Sequence, residues 1–419
     1  MDIQEQLLEL RRKIARIDQK YANATPATPP PNPFQKPRPA RYFVEELMSG
    51  EVVTTAHGAH FETEKLYESH RRHGSMDISN LIELPDDLLD SLSGGTILKS
   101  HPKRWCFLDT ETTGLAGGAG CYAFLIGVGS IDEEGFRVRQ FFMRDFGDEP
   151  SLLAALSDYL GRFDVLITYN GKTYDVPLLE TRYRMARAKP PFARLAHLDL
   201  LHGARRLWKL RLDSCRLVEL ENRILGLERE GDLPGEMIPY YYFQYLRIQQ
   251  AFHLVPIFHH NVMDIVSLAC LTAVAPFAFR SPKDAPLRHG ADFVGLARWV
   301  EQAGRHDEAV QLLRRALELG LPDNLLFKTM WEIARLEKKL ERYDAALLLY
   351  TDLAAAKNPF RVPAFEELAK HYERRERNHM MALEMTRNAL ALEDTEPLRR
   401  RELRLKSRLT KRCKISQTV

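Results

Sequence analysis

Cysteine is scarce in this 419-residue chain: there are five, an odd number, with no CxxC pair. That excludes a disulfide framework and a zinc knuckle, and it suits a reducing compartment. No apolar run is expected to reach the roughly 18 residues of a membrane span. The opening MDIQEQ lacks the apolar core of a secretion signal. A cytoplasmic protein without a membrane partner is therefore expected. An excess of one charge is also missing. The net is +3 over 60 basic and 57 acidic residues, so any attraction for nucleic acid must be local. The glycine-rich stretch from Leu115 to Gly120 is followed by no GK[ST], which excludes a phosphate-cradling P-loop. Hydrophobic residues make up 45% and charged residues 28%, enough for real cores in two or three domains.

Residues 1–22 place Ile3, Leu7, Leu10, Ile14, Ile17 and Tyr21 at alternating spacings of four and three, the seam of a short amphipathic helix. Such a helix either docks on its own domain or self-associates. Residues 23–40 are proline-rich and predict an extended linker. Residues 41–100 form a small extension with a hairpin around AHGAH and a short helix in LIELPDDLLDSLS. His57, His60, His70 and His73 there lack paired ligand spacing and read as surface or packing residues. From 101 to 275 the pattern is three apolar strands, then helix, strand, helix, strand and further helices: an α/β fold with a mixed sheet flanked by helices. A linker is expected over 276–289. Over 290–397, RHDEAVQLLRRA at Arg305 recurs as RYDAALLLYTDL at Arg342 and as NHMMALEMTRNA at Asn378, with Ala309, Ala346 and Ala382 in register. This predicts an all-α array of helical hairpins. A basic tail, 398–419, closes the chain.

Three motifs carry chemistry. In FLDTETTG an apolar strand runs into Asp109 and Glu111. Residues i and i+2 of a strand share a face, so the two anions sit side by side at the sheet edge. They repel unless a hard divalent cation lies between them, and carboxylate oxygen is what Mg²⁺ or Mn²⁺ prefers. In YNGKTYDVPLL a strand ends near Asn170, and Asp175 opens the next helix. In HHNVMDIVSLACL, Asp264 lies on a helix whose other face is apolar. His260 precedes Asp264 by four residues and His259 by five. At about 100° per residue, the first pair is about 40° apart and the second about 140° apart, which favours His260.

Asp109 and Glu111 on a first strand, Asn170 with Asp175 after a fourth, and a late His with Asp264 resemble the exonuclease motifs of the DEDD superfamily, which has an RNase H-like fold. Over residues 103–275 the strings HLDLLHGARRLW, RLDSCRLVELENRILG, DLPGEMIPYYYFQYL and HHNVMDIVSLA resemble the YprB-like ribonuclease H-like family. The repeats resemble tetratricopeptide repeats. The resemblance implies a nuclease with two Mg²⁺ or Mn²⁺ ions, held directly by Asp109, Glu111 and Asp264 and completed by Asp175. It also implies 3′-to-5′ cleavage of DNA or RNA. His260, or less favourably His259, would accept a proton. Thr110, Asn170, Arg205, Arg206, Trp208 and Lys209 are expected to contact substrate, with Arg211 and Arg216 adding positive charge and Trp208 stacking on a base. Asp199, at the end of another strand, reads as structural or as an auxiliary to the site. The repeats imply a protein partner. The alternative is a catalytically weak or inactive nucleic-acid-binding scaffold that works through its repeats.

Overall fold

In a computed structural model, residues 41–93, 96–114, 120–229 and 231–416 are described. The expected helix over 1–22 and linker over 23–40 lie outside them, as does most of the glycine-rich stretch. The chain splits into two units, Met1–Gly203 with Cys215–Pro276, and Ala204–Ser214 with Phe277–Val419.

The first unit is built on a seven-stranded sheet in the order β1-β2-β7-β6-β5-β8-β9. The strands are β1 Glu51–Thr55, β2 Gly58–Glu68, β5 Trp105–Thr112, β6 Ala123–Ile131, β7 Gly135–Phe142, β8 Val165–Thr168 and β9 Ala196–Asp199. A two-stranded ribbon, β3 Arg72–His73 with β4 Met76–Asp77, stands apart. The pairs from β1 through β2, β7 and β6 to β5 are antiparallel, whereas β8 pairs parallel with β5 and β9 parallel with β8. The mixed sheet is thus as the sequence pattern predicts, with one correction. The segment 41–100 is not a separate extension, because β2 pairs with β7 along its length and carries the sheet two strands further. A free hairpin is marginal in water, and an existing sheet supplies the missing partner.

Helices α1 Glu149–Leu160, α2 Asp175–Met185, α3 Leu200–Trp208, α4 Ile238–Ile248 and α5 Leu254–Arg280 follow the strands. All nine residues of β6 are buried, as expected for a strand covered on both faces. The core around it joins Phe124, Phe142, Tyr242, Tyr245, Leu254 and Phe258, with Phe124 stacked on Tyr242 at 3.9 Å. Two expectations about α5 need correcting. It is long and apolar enough to cross a membrane, with a mean hydropathy of 2.0 over its best window, but 83% of that window is buried inside the protein. It also continues through Pro276 to Arg280, so the connection after it starts later than 276. A proline ring leaves the carbonyls behind it unbonded, and the helix nevertheless lasts one more turn.

The second unit is a run of helical hairpins: α6 Gly290–Gln302 with α7 His306–Glu318, α8 Asp323–Lys339 with α9 Tyr343–Ala355, and α10 Arg361–Arg374 with α11 His379–Leu392, followed by α12 Glu396–Ser416. Arg305, Arg342 and Asn378 each stand at the N-cap of the second helix of a pair. Ala309, Ala346 and Ala382 are buried where the helices meet. The unit also takes in 204–214. A Cβ on Gly295 of α6 would lie 2.5 Å from the Arg206 carbonyl oxygen and 2.6 Å from that of Leu207, so only glycine lets these backbones approach so closely.

Candidate active site

Strand β5 lies in the interior of the sheet, not at its edge as the sequence suggested. Its residues Trp105–Phe107 pair with β8, and its other side pairs with β6 from Cys106 to Thr112. Asp109 and Glu111 therefore sit on the part of β5 that extends past β8, where a neighbouring strand no longer crowds one side. Opposite Asp109 on β6 is Gly127. The space left by its absent side chain is taken by Asn261 of α5, whose Oδ1 would lie 2.2 Å from a Cβ built there. Asn261 is fully buried. Its Nδ2 donates to Asp109 Oδ2 at 2.8 Å, and its Oδ1 accepts from Gln140 Nε2 at 2.8 Å. Gln140 also donates to the Phe258 carbonyl at 2.9 Å. The amide is thereby oriented: with its oxygen committed to Gln140, its nitrogen must face the carboxylate.

Asp175 is the first residue of α2 and is buried. The Thr110 hydroxyl donates to its Oδ1 at 2.5 Å. The Thr110 hydroxyl is thus committed to Asp175. Asp264 lies one turn beyond His260 on α5. Its Oδ2 is 3.7 Å from His260 Nε2, and its Oδ1 accepts from Arg229. His260 Nδ1 bonds Asp232 at 2.9 Å. Arg229 also reaches Glu221 and lies 3.1 Å from Asp232. Since α5 starts at Leu254, His259 falls inside the regular helix and is exposed.

Asp109 and Glu111 feel the neighbouring carboxylates strongly. Burial first, and then Asp264, Glu111 and Asp175, push the Asp109 carboxyl well above the ordinary carboxylate range, although Asn261 donates to it. Burial, reinforced by Asp264, Asp175 and Asp232, pushes Glu111 up to about 8 against the pull of His260. Burial lifts Asp175 to about 6 against the Thr110 hydrogen bond. His260 shifts the other way. Burial disfavours its cation, but the Asp232 hydrogen bond with the charges of Asp264 and Glu111 outweighs that and raises it to about 9. Burial of Arg229 is likewise outweighed, by Asp264 and Glu221, and its pKa rises.

The donor set suits a hard divalent cation: oxygen only, anionic, buried and mutually repelling. As they stand, no three His, Cys, Asp or Glu side chains among the described residues close around one point tightly enough to enclose an ion. Arg229 holds one oxygen of Asp264 in its place. An ion bound to that oxygen would have to displace Arg229.

The remaining expected residues are placed as follows. Asp199 accepts from the backbone N–H groups of Asn170, Lys172 and Leu201 at 2.9–3.1 Å and so holds the turn that leads to Asp175. Asn170, at φ 67°, spends its side-chain oxygen on the Thr173 hydroxyl. Trp208 is fully buried and cannot stack on a base, which corrects that expectation. Arg211 is committed to Asp292, Arg206 lies over the Trp299 ring, and Lys209 Nζ donates to the Asp213 carbonyl. Arg205 is exposed. The alternation of helix faces in RRLWKLR carried this distinction: the apolar stripe of α3 packs inward and takes Trp208 with it.

Sequence reasoning missed Gln140, Glu221, Arg229 and Asp232. Their signal is weak, because they meet the motif residues across separations of 28 to 121 residues. The one available hint was Gly127 in the middle of an apolar strand, which marks a close approach.

The RNase H superfamily pattern matches residues 106–275, a span containing all four carboxylates. The fold and the comparison agree on an RNase H-like domain of the nuclease-like class. The chain is also 34% identical over 352 residues to "Uncharacterized protein YprB" of Bacillus subtilis (strain 168), covering 81% of this chain and 84% of that protein. It belongs to the YprB-like family of RNase H-like proteins.

Proposed function

We propose that this chain is a divalent-metal-dependent nuclease, a 3′-to-5′ exonuclease acting on DNA or RNA. One observation carries the reading. Carboxylates from β5, the start of α2 and the middle of α5 converge in a largely buried place, where burial and the charges of Asp264 and Asp175 raise the pKa of Asp109 and Glu111. Such an arrangement destabilises an empty, fully ionised site, and bound cations relieve that repulsion. Asp109, Glu111 and Asp264 would hold the ions, and Asp175 would complete the site through water. Two Mg²⁺ or Mn²⁺ ions supply Lewis acidity for the attacking water and the leaving oxygen. Asn261 fixes the Asp109 carboxylate. Asp232 fixes the His260 ring through Nδ1, so that Nε2 faces the carboxylates. His260, its ring held by Asp232, would be the group placed to accept a proton. Arg205 remains a candidate phosphate contact. A reducing, cytoplasmic setting is in keeping with the free thiols of Cys106, Cys121, Cys215 and Cys270.

A labelled oligonucleotide assay with Mg²⁺ or Mn²⁺ tests this. Asp109→Asn and Asp264→Asn are expected to abolish cleavage while the fold survives, and wild-type rates in either would refute the assignment. His260→Ala is expected to lose a large part of the rate and to change the acidic limb of the pH profile, whereas His259→Ala changes little. The reverse ranking would move the base to His259.

A second reading, a scaffold with weak or no catalysis, is favoured by the hold of Arg229 on Asp264. Calorimetry with Mn²⁺ separates the two. Binding that Asp264→Asn removes supports the nuclease, and its absence in wild-type protein supports the scaffold.

A further inference from the structure

We propose that the helical-hairpin unit binds single-stranded nucleic acid in a cavity between α8, α9 and α10. The cavity has a volume of about 230 Å³. Four permanent cations line it: Lys338 from α8, Lys370 and Arg374 from α10, and Arg375 just beyond. Its only lining carboxylate is Glu367. Glu367 already neutralises part of this charge, since it bonds both Lys338 and Lys370. At the rim, Glu366 lies 3.7 Å from Lys370, and Glu376 takes His371 at 2.9 Å. Arg374 and Arg375 are left over. Both are exposed, and neither meets a carboxylate among the described residues.

Many other arginines of this unit are paired with acids. Arg298, Arg335, Arg342, Arg401 and Arg404 each reach a carboxylate. Arg375 instead lies over the half-buried Tyr343 ring, its guanidinium carbon 3.0 Å from the centroid. Tyr350 lines the same cavity. Two guanidinium groups without acids, one of them over a tyrosine ring, line one cavity with a second tyrosine and offer a surface for phosphate and base together. The planar fork of arginine matches phosphate oxygens. A guanidinium stacked on an aromatic ring offers a flat face on which an unpaired base stacks whatever its sequence.

Charge along the chain favours a polyanion at this place. Residues 1–276, which hold the carboxylate site, contain 32 Lys and Arg against 36 Asp and Glu. Residues 277–419 contain 28 against 21. Without cations the carboxylate site repels a phosphate backbone, and the excess of positive charge lies in the second segment. An RNase H-like chain makes nucleic acid the expected polyanion. The proposal rests on that partner class and not on cleavage.

The test is fluorescence anisotropy of a labelled 20-nucleotide oligothymidylate with the full-length chain in EDTA, where no turnover occurs. A chain that proved not to cleave would leave this measurement intact. Arg374→Ser with Arg375→Ser is expected to weaken binding at least tenfold. The slope of log affinity against log salt should become shallower by about 1.4, the value for two lost phosphate contacts on a single strand. Tyr343→Leu is expected to weaken binding severalfold with little change in slope. The charge-matched control Arg399→Ser with Arg400→Ser, whose arginines sit on Asp394 and Glu396, should bind nearly as wild type. All these positions are exposed or half-buried, and equal melting temperatures check that each variant folds. Three results overturn the proposal: no binding by the wild-type chain, an unchanged affinity and slope in the double arginine variant, or loss of binding to a poly-glutamate peptide in that variant while oligonucleotide binding persists. The last would assign the cavity to an acidic protein segment.

Discussion

Asn261 is the residue through which the sheet and α5 are tied at the site. It fills the space above Gly127 and donates to Asp109, and its own oxygen is claimed by Gln140. Partners that orient a ligand in this way typically contribute ten- to a hundredfold in metal affinity. Asn261→Ala should therefore weaken Mn²⁺ binding by about that factor, measured by calorimetry, with a smaller change in melting temperature. Equal Mn²⁺ affinity in the variant would show that Asp109 needs no such partner. The carboxylates themselves set a pH dependence. Glu111 is raised to about 8 in the folded chain, so its proton is held more tightly there than in the unfolded chain. That stabilisation is complete below about 4.3, the ordinary glutamate value, and is lost as pH rises through about 8. His260, raised to about 9, acts in the same sense: its contribution is complete below about 6.5 and is lost as pH rises through about 9. The cation-free protein should thus melt at progressively lower temperature between pH 5 and pH 8.5. Glu111→Gln should flatten that slope and raise the melting temperature at pH 8, and added Mg²⁺ should stabilise more at pH 8 than at pH 5. A cation-free melting temperature that rose with pH would contradict the burial of these groups together.

Among the elements, α1 and α2 are joined by a buried ion pair as well as by apolar packing. The Arg182 guanidinium donates twice to Glu149, at 2.6 Å each, and stacks 3.6 Å from the Tyr122 ring. Since α2 begins at Asp175, this pair fixes the helix that delivers a site carboxylate. Removing one partner leaves a buried charge uncompensated, and Arg182→Ala or Glu149→Ala should cost about 3–5 kcal/mol in urea unfolding. Replacing both with Met and Leu should restore much of the loss, because the desolvation of the pair largely cancels its attraction. A single variant with near wild-type stability would show that water reaches the pair. Periodicity made the existence and rough bounds of these helices and of β5 to β9 readable, since each has an apolar face and a turn residue near its end. The fate of the hairpin over Glu51–Glu68 was not readable. Its alternation suits a strand, but which strand it would pair with depends on the free side of β7.

For the whole molecule, two hydrophobic units come from one chain, and the division falls within α3, after Gly203. A linear reading placed the boundary after 275 and could not see that 204–214 belongs with the hairpins. Gly295 records this packing, and Arg211 with Asp292 adds a 2.8 Å contact. A side chain at 295 would meet backbone on both sides, which cannot move aside as a side chain can. Gly295→Val should therefore destabilise the helical-hairpin unit by about 1–3 kcal/mol, visible as an earlier transition in thermal unfolding followed by circular dichroism. An unchanged transition would mean that 204–214 contributes little to that unit.

By itself the sequence determined the mixed sheet and the helical hairpins in their register of Ala309, Ala346 and Ala382, and it singled out the four carboxylates and His260 as a candidate site. Each of these rests on local spacing: a period of two or 3.6, a repeat, or acids set at fixed offsets from an apolar run. Tertiary structure alone decided the seating of Asn261 over Gly127 and its bond to Gln140. It also decided the claim of Arg229 and Asp232 on Asp264 and His260, the burial of Trp208, and the addition of β1 and β2 to the sheet. Those are contacts between residues far apart in the chain. They depend on which faces meet when the core closes, and no local pattern encodes that.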